Sequence, residues 1–309
     1  MKKITNSPLA VIASLLLASS SFVGCTKENL SNPDAATTTE ETTAALEAPV
    51  PGGSTALATT TTTAPTTTTT PFNLSVTYAG RANSAYGLSQ ASPDYKNVSY
   101  WMGTNTSVEG GTLRTKLTKN VVGISGGTLS KMDVPDAREY QLTYSIKFDN
   151  DFDFSYGGKV GFGFLIGNGY TGGTPGWDGN GGSARLMWYK QNGRVFLKPY
   201  IYHKDQPGTY GNDFGKSFPA TGSLQKGVWY TVKMYVKANN GSNTDGRFRL
   251  TINGVIVMDQ AIRWTTNDAN RLVKHVVFET FRGGAESYWQ SATDGNIYFN
   301  NVKYTVLKY

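Results

Sequence analysis

Gly158-Lys-Val-Gly-Phe-Gly-Phe-Leu-Ile166 places a large apolar side chain at every second position from Val160 to Ile166. Successive side chains of a strand point to opposite faces. Val160, Phe162, Phe164 and Ile166 therefore share a face that reads as core. Lys159, Gly161 and Gly163 share the other face. A lysine beside two glycines makes a bare surface with one cation on it, suited to close approach of a ligand chain. Two following segments repeat the pattern. Ser183-Ala-Arg-Leu-Met-Trp-Tyr189 sends Ala184, Leu186 and Trp188 inward and Ser183, Arg185, Met187 and Tyr189 outward. Arg194-Val-Phe-Leu-Lys-Pro-Tyr-Ile-Tyr202 puts Lys198, Tyr200 and Tyr202 on one face. These strands are expected to offer Lys159, Ser183, Arg185, Tyr200 and Tyr202 to a single surface, with register left open.

Outward from this block the chain keeps the same character. Tyr140–Phe148 and Val228–Val236 alternate apolar and polar residues. Arg247–Ile252, Asn253-Gly254 and Val255–Met258 read as a hairpin, since Asn-Gly is the strong type I′ turn signal. A last strand spans about 296–307. Charged residues are only 17% while glycine (35) and tyrosine (18) are abundant. Many short strands between Gly, Asn and Asp turns predict an all-β fold, an antiparallel jelly-roll sandwich with a cleft on one sheet. No long helical period is present.

The N-terminal part is different. Met1-Lys2-Lys3, an apolar or small stretch and Phe22-Val23-Gly24-Cys25 read as a secretory signal over residues 1–24 and resemble a bacterial lipoprotein signal. Cys25, the only cysteine, would be the lipidated residue, so no intramolecular disulfide is possible. Residues 25–71, with their threonine runs, read as a disordered tether. Residues 72–309 form the remaining domain. The chain carries +7 overall. Setting aside the two signal lysines, and the tether with its one lysine against five acids, leaves about nine net positive charges on the domain. A basic secreted domain favours a polyanion. No Lys/Arg run interleaved with aromatics argues for nucleic acid. An acidic polysaccharide is the expected partner, and a monomer on the cell surface the expected form.

The exposed residue types fit eliminative cleavage of a uronate polymer. Arg or Lys neutralises the carboxylate, a base removes the C5 proton, and an acid protonates the leaving oxygen. Hydrolysis instead needs paired carboxylates flanking the bond, and none stands on this face. The motifs Asp151-Phe-Asp-Phe, Gly157-Gly-Lys159, Ser183–Trp188, Tyr200–Gly211, Gly227–Tyr230, Asp245-Gly246, Phe278–Gly284, Ser287, Trp289 and Ile297–Asn301 resemble polysaccharide lyase family 14, the alginate lyases. The resemblance implies a jelly roll and metal-independent β-elimination of alginate or a related glucuronate polymer. It implies catalytic roles for Lys159, Arg185, Tyr200 and Tyr202, with Ser183 positioning substrate. The sequence departs from the family where Val160-Gly-Phe-Gly follows the lysine, and in the long spacing from Arg185 to Tyr200.

His203, Tyr210, Arg282 and Trp289 are grouped with Ser183 as substrate contacts. His203 is expected at the rim or in a structural role. His275 reads as a core histidine. Two histidines and one signal cysteine make a zinc site improbable. Asp149, Asp151 and Asp153 lack a calcium loop's spaced glycine and distal glutamate. No cofactor is expected. The rival function is a non-catalytic glycan-binding lipoprotein on the same scaffold.

Overall fold

The computed structural model describes residues 71–102 and 104–309. The signal, Cys25 and the tether through residue 70 lie outside the described residues. The strands, in chain order, are β1 (Asn73–Val76), β2 (Ser84–Ala85), β3 (Val98–Met102), β4 (Thr106–Glu109), β5 (Thr112–Leu117) and β6 (Thr128–Ala137). They continue with β7 (Glu139–Phe148), β8 (Gly157–Lys159), β9 (Phe162–Gly167), β10 (Gly181–Gln191) and β11 (Arg194–Tyr202). The last are β12 (Trp229–Lys237), β13 (Gly246–Ile252), β14 (Val255–Ile262), β15 (Val273–Arg282) and β16 (Gly295–Lys308). An eight-residue helix, α1 (Leu88–Tyr95), buries Ala91 and Tyr95 one turn apart and was not expected from the alternation.

Every strand pair is antiparallel, and two sheets form the sandwich. One runs β14-β13-β12-β7-β16-β5-β4-β2, with β1 also on β16. The other runs β11-β10-β8-β15-β6-β3, with β9 lying end to end with β8 between β10 and β15. The hairpin at Asn253-Gly254 is present, and both residues have the positive φ that a type I′ turn demands (50° and 80°). Between the sheets lie Tyr144, Ile146, Phe148, Phe162, Phe164, Trp188, Phe278 and Phe299, all essentially without solvent contact. This is the jelly-roll sandwich expected from the alternation.

One expectation needs correction. Gly158–Ile166 is not a single strand. Met187 pairs with Lys159, yet Ala184 pairs with Phe164, so Arg185–Leu186 of β10 stand opposite the four residues 160–163. Two extra residues on one strand constitute a bulge, which bends the strand and re-aims its neighbours. Gly161 sits at the break with φ of 82°, and a Cβ there would meet the buried Tyr144 phenol at 2.6 Å. Gly161 therefore faces the core, not the cleft. Gly163 keeps the expected side.

Gly158 locks this strand pair against the core. A Cβ there would lie 2.1 Å from the Trp188 ring and 2.2 Å from the Phe281 carbonyl oxygen. Trp188 is itself fixed by its indole N–H donating to the Phe154 carbonyl at 2.9 Å. Gly158→Ala is expected to destabilise the fold by at least ~1–3 kcal/mol through overpacking, measured as a lower midpoint in chemical denaturation. An unchanged midpoint would mean that the sheet absorbs the methyl.

Candidate active site

The outer face of the β11-β10-β8/β9-β15 sheet carries the site, and register explains its assembly. Arg185 of β10 faces Tyr200 of β11, Ser183 faces Tyr202, and Met187 lies between Lys198 of β11 and Lys159 of β8. Lys159 in turn faces Phe281 of β15. Lys159, Arg185, Tyr200 and Tyr202 are thus brought together. The Lys159 Nζ stands 3.8 Å from the centre of the Tyr200 ring, and the Arg185 guanidinium 5.4 Å and 5.2 Å from the rings of Tyr200 and Tyr202.

Glu279 is the member the alternation did not single out. It lies on β15 two residues before Phe281, hence on the same face. The Arg185 Nη1 donates to its Oε2 at 2.9 Å, and both residues are buried. To make this bridge, Arg185 reaches from β10 across β9 to β15. Gly163 allows the crossing, since a Cβ there would meet Arg185 Cγ at 3.0 Å and the Ala184 carbonyl oxygen at 2.5 Å. The bare surface expected beside the lysine is therefore occupied by a buried ion pair. Arg185 Nε and Nη2 have no protein partner.

Electrostatics separates the two proton-transfer candidates. Burial pulls the Lys159 ammonium down from its ordinary 10.5 to about 7, and the nearby Arg185 cation adds to the effect; Glu279 opposes it. Nζ has only the weak acceptor Met187 Sδ at 3.4 Å. Burial, followed by the neighbouring Tyr202 phenol, pushes the Tyr200 hydroxyl well above its ordinary value. An amine poised near neutrality suits a general base, and a phenol held protonated suits a general acid.

Several expected contacts are placed elsewhere. Ser183 is fully buried and its hydroxyl donates to the Tyr170 carbonyl at 2.7 Å, so it fastens the loop after β9 instead of meeting substrate. Tyr202 is buried beneath the same loop, its oxygen accepting from Gly173 N–H at 3.0 Å. His203 has both ring nitrogens engaged within its own loop. Nδ1 accepts from Asp205 N–H, Nε2 meets the Asn212 amide, and the ring stacks on Phe214. Burial lowers its pKa to about 4, so it is a neutral structural residue, not a substrate contact. Arg282 points to the sandwich interior, because it is one residue out of step with Phe281. It is 1% exposed, donates to the Asp153 carbonyl at 2.7 Å and lies over Phe152, so it does not line the cleft. His275, read as core, instead shares the face of Val277 and Glu279 and contacts Asp133 at 3.1 Å.

Tyr210 is exposed on the loop beside Gly173. Trp289 packs with Tyr156, Tyr189 and Tyr288 in an aromatic cluster at the Met187 end. Among the described residues no cluster of three metal-ligating side chains occurs, and no helix is long and apolar enough to cross a membrane.

The geometry agrees with what comparison finds. The family model for polysaccharide lyase 14 matches residues 105–302. The solved structure of alginate lyase Aly36B is 52% identical, with a TM-score of 0.75, over 77% of this chain and 98% of that one. A form of that enzyme altered at one lysine and one tyrosine, in complex with an alginate tetrasaccharide, is 51% identical with a TM-score of 0.76 over the same shares. The alginate lyase from Aplysia kurodai, 21% identical over 74% of this chain and 97% of that one, shares the fold at a TM-score of 0.58. No curated protein matches the chain. A jelly roll with buried Lys, Arg and Tyr on one sheet face, and these relatives, have one reading: the chain belongs to the polysaccharide lyase 14 family and is a polysaccharide lyase.

Proposed function

We propose that the enzyme cleaves alginate by β-elimination, with charge handled by side chains and not by a metal ion. The observation that carries this reading is the Lys159–Tyr200 pair, a base near neutrality 3.8 Å from the ring of a protonated phenol. Neutral Lys159 removes the C5 proton. Tyr200 donates its proton to the departing glycosidic oxygen. The Arg185 cation, anchored by Glu279, supplies a fixed positive field to the enolate-like charge that develops on the carboxylate carbon's side of the ring. Tyr202 packs on Tyr200 at 5.7 Å and orients it.

The solved relatives support the substrate and the lysine. Complexes of Aly36B hold alginate tri- and tetrasaccharides. In the trisaccharide complex the altered lysine and methionine stand 28 residues apart, as Lys159 and Met187 do here. We further propose that the chain is secreted and tethered to the cell envelope through Cys25, on the signal-like residues 1–24 and the Thr/Pro/Ala-rich stretch that follows.

The test is the ultraviolet absorbance of the unsaturated uronate formed on mixing enzyme with polymannuronate, polyguluronate or glucuronan. A rise on an alginate block is the expected result. Tyr200→Phe is expected to slow that rise ~10²–10⁴-fold, the range of lost general acid catalysis, with the denaturation midpoint little changed. A flat trace on all three polymers, with the polymers still bound, would leave a glycan-binding protein instead. A Tyr200→Phe enzyme of full rate would move the acid to Tyr202.

A further inference from the structure

The face of the molecule opposite the site carries its own set of unpaired groups. On the outer side of the larger sheet, register aligns Trp229, Lys147 and Tyr298 in one row across β12, β7 and β16. Trp229 is 39% exposed at the head of β12. The Lys147 Nζ lies between the two rings, 5.1 Å from that of Trp229 and 4.8 Å from that of Tyr298. Two rows along, Lys233 and Lys303 flank Thr143 and are both exposed. A groove of about 930 Å³ opens beside this row, lined by Trp229, Ser145, Asn300, Asn301 and Asn83 among others.

Charge is what distinguishes this patch. Four other cations of the same sheet are neutralised at home, while Lys237 and Lys308, which face Glu139 in the ladder, make no ion pair among the described residues. Arg247 and Arg249 share Asp259, Arg114 meets Glu109 and Lys116 meets Asp294. Lys147, Lys233 and Lys303 make no ion pair among the described residues. A part-exposed indole with one ammonium beside it, and two more ammonium groups without an ion pair two rows along, matches a uronate strand twice over. The apolar C–H face of the sugar stacks on the ring, and the carboxylates meet the lysines. The domain's surplus of positive charge favours the same occupant.

We propose that this outer face is a second, non-catalytic binding site for an acidic polysaccharide strand, the same class of polymer the lyase site takes. It rests on the lyase reading only for the choice of polymer. The two sites lie on outward faces of opposite sheets, so one strand segment cannot fill both. The second site would hold polymer near the enzyme while the catalytic site cuts.

Affinity electrophoresis in gels containing alginate, run with the full chain carrying Lys159→Met so that the gel polymer stays uncut, tests binding. Trp229→Ala, and separately Lys147→Gln, is expected to weaken retardation by the polymer about tenfold. With Lys159 in place, initial rates on an alginate tetrasaccharide, too short to bridge both faces, should stay unchanged in both variants. The half-saturating concentration of long polymer should rise. Unaltered retardation in both variants would overturn the proposal. So would tetrasaccharide rates falling in step with retardation, which would mean that Trp229 acts through the fold. A wild-type dimer in sedimentation that Trp229→Ala converts to monomer would assign the face to a second copy of the chain and overturn it as well. If the chain proves not to cleave alginate, the electrophoretic result still decides this site.

Discussion

Lys159→Met is expected to lower the rate of elimination on the preferred alginate block by ~10³-fold, within the ~10²–10⁴ that positioned proton transfer supplies. Methionine keeps the length and apolar stem and removes only the amine, so binding of the tetrasaccharide should survive. The wild-type pH profile carries a second signature of the same group. With the amine near 7, the fraction of free base grows as pH rises through neutrality, and kcat/KM should climb there with a slope of one decade per unit before levelling. The variant should lose that limb. Stability moves the same way. Between about 7 and the ordinary 10.5, the unfolded chain binds a proton at this lysine that the native state does not. Stability of the wild type therefore gains a contribution as pH rises across that window. Below it both states are protonated, and the native state bears the full cost of a buried ammonium. In Lys159→Met this contribution should vanish, read as a flatter midpoint-against-pH curve in urea. A wild-type activity limb that stays near 7 in the variant would reassign the base.

Arg185→Met should damage both fold and catalysis, and the two effects can be separated. Removing the cation leaves the buried Glu279 carboxylate without its partner, and breaking one side of a buried pair costs ~3–5 kcal/mol. The loss should appear as a large fall in the denaturation midpoint. Replacing both residues, Arg185→Met with Glu279→Met, removes both charges and should restore much of the stability, since paired buried charges often exchange for apolar side chains at little net cost. Activity should not return, because the preorganised cation is gone and oxyanion-type stabilisation is worth ~10²–10³-fold. A double variant that regains rate together with stability would reduce Arg185 to a packing role. Glu279→Gln alone probes the tuning of the base. Losing the one nearby carboxylate that supports the ammonium, against Arg185 and Lys198, should shift the limb near 7 to lower pH.

Alternation along single strands was enough to place Lys159, Arg185, Tyr200 and Tyr202 on one face, because inward-facing Val160, Leu186 and Ile201 fix the parity of each strand. It was equally enough for the antiparallel sandwich. Parity names a side of the sheet and never the neighbour across it, so Glu279 stayed hidden until β15 was seen beside β9. The same rule, applied to Phe278-Glu-Thr-Phe281, would have turned Glu279 outward and Arg282 inward. Arg282 was placed with the substrate contacts because an arginine suits a carboxylate, whereas inside it is held by one bond to the Asp153 carbonyl and by Phe152, with Nε and Nη2 left without a partner among the described residues. Ser183, Tyr202 and His203 took their roles from the loops after β9 and β11. Those paths are set by contacts such as Gly173 to Tyr202 and Asn212 to Ile201, which no local pattern encodes.

The bulge between β8 and β9 is one-sided: β10 sees two extra residues, whereas β15 pairs with Lys159 and with Phe162 in one unbroken register. Phe162, Phe164 and Ile166 keep their places in the core, and Lys159 is held to the same frame through Phe281 of β15. A length change at 160–163 would break that register and displace Val160 and Phe162 from the core. In evolutionary terms, selection on the scaffold holds the reacting group in place, and a change of sugar preference is left to the strands and loops around it.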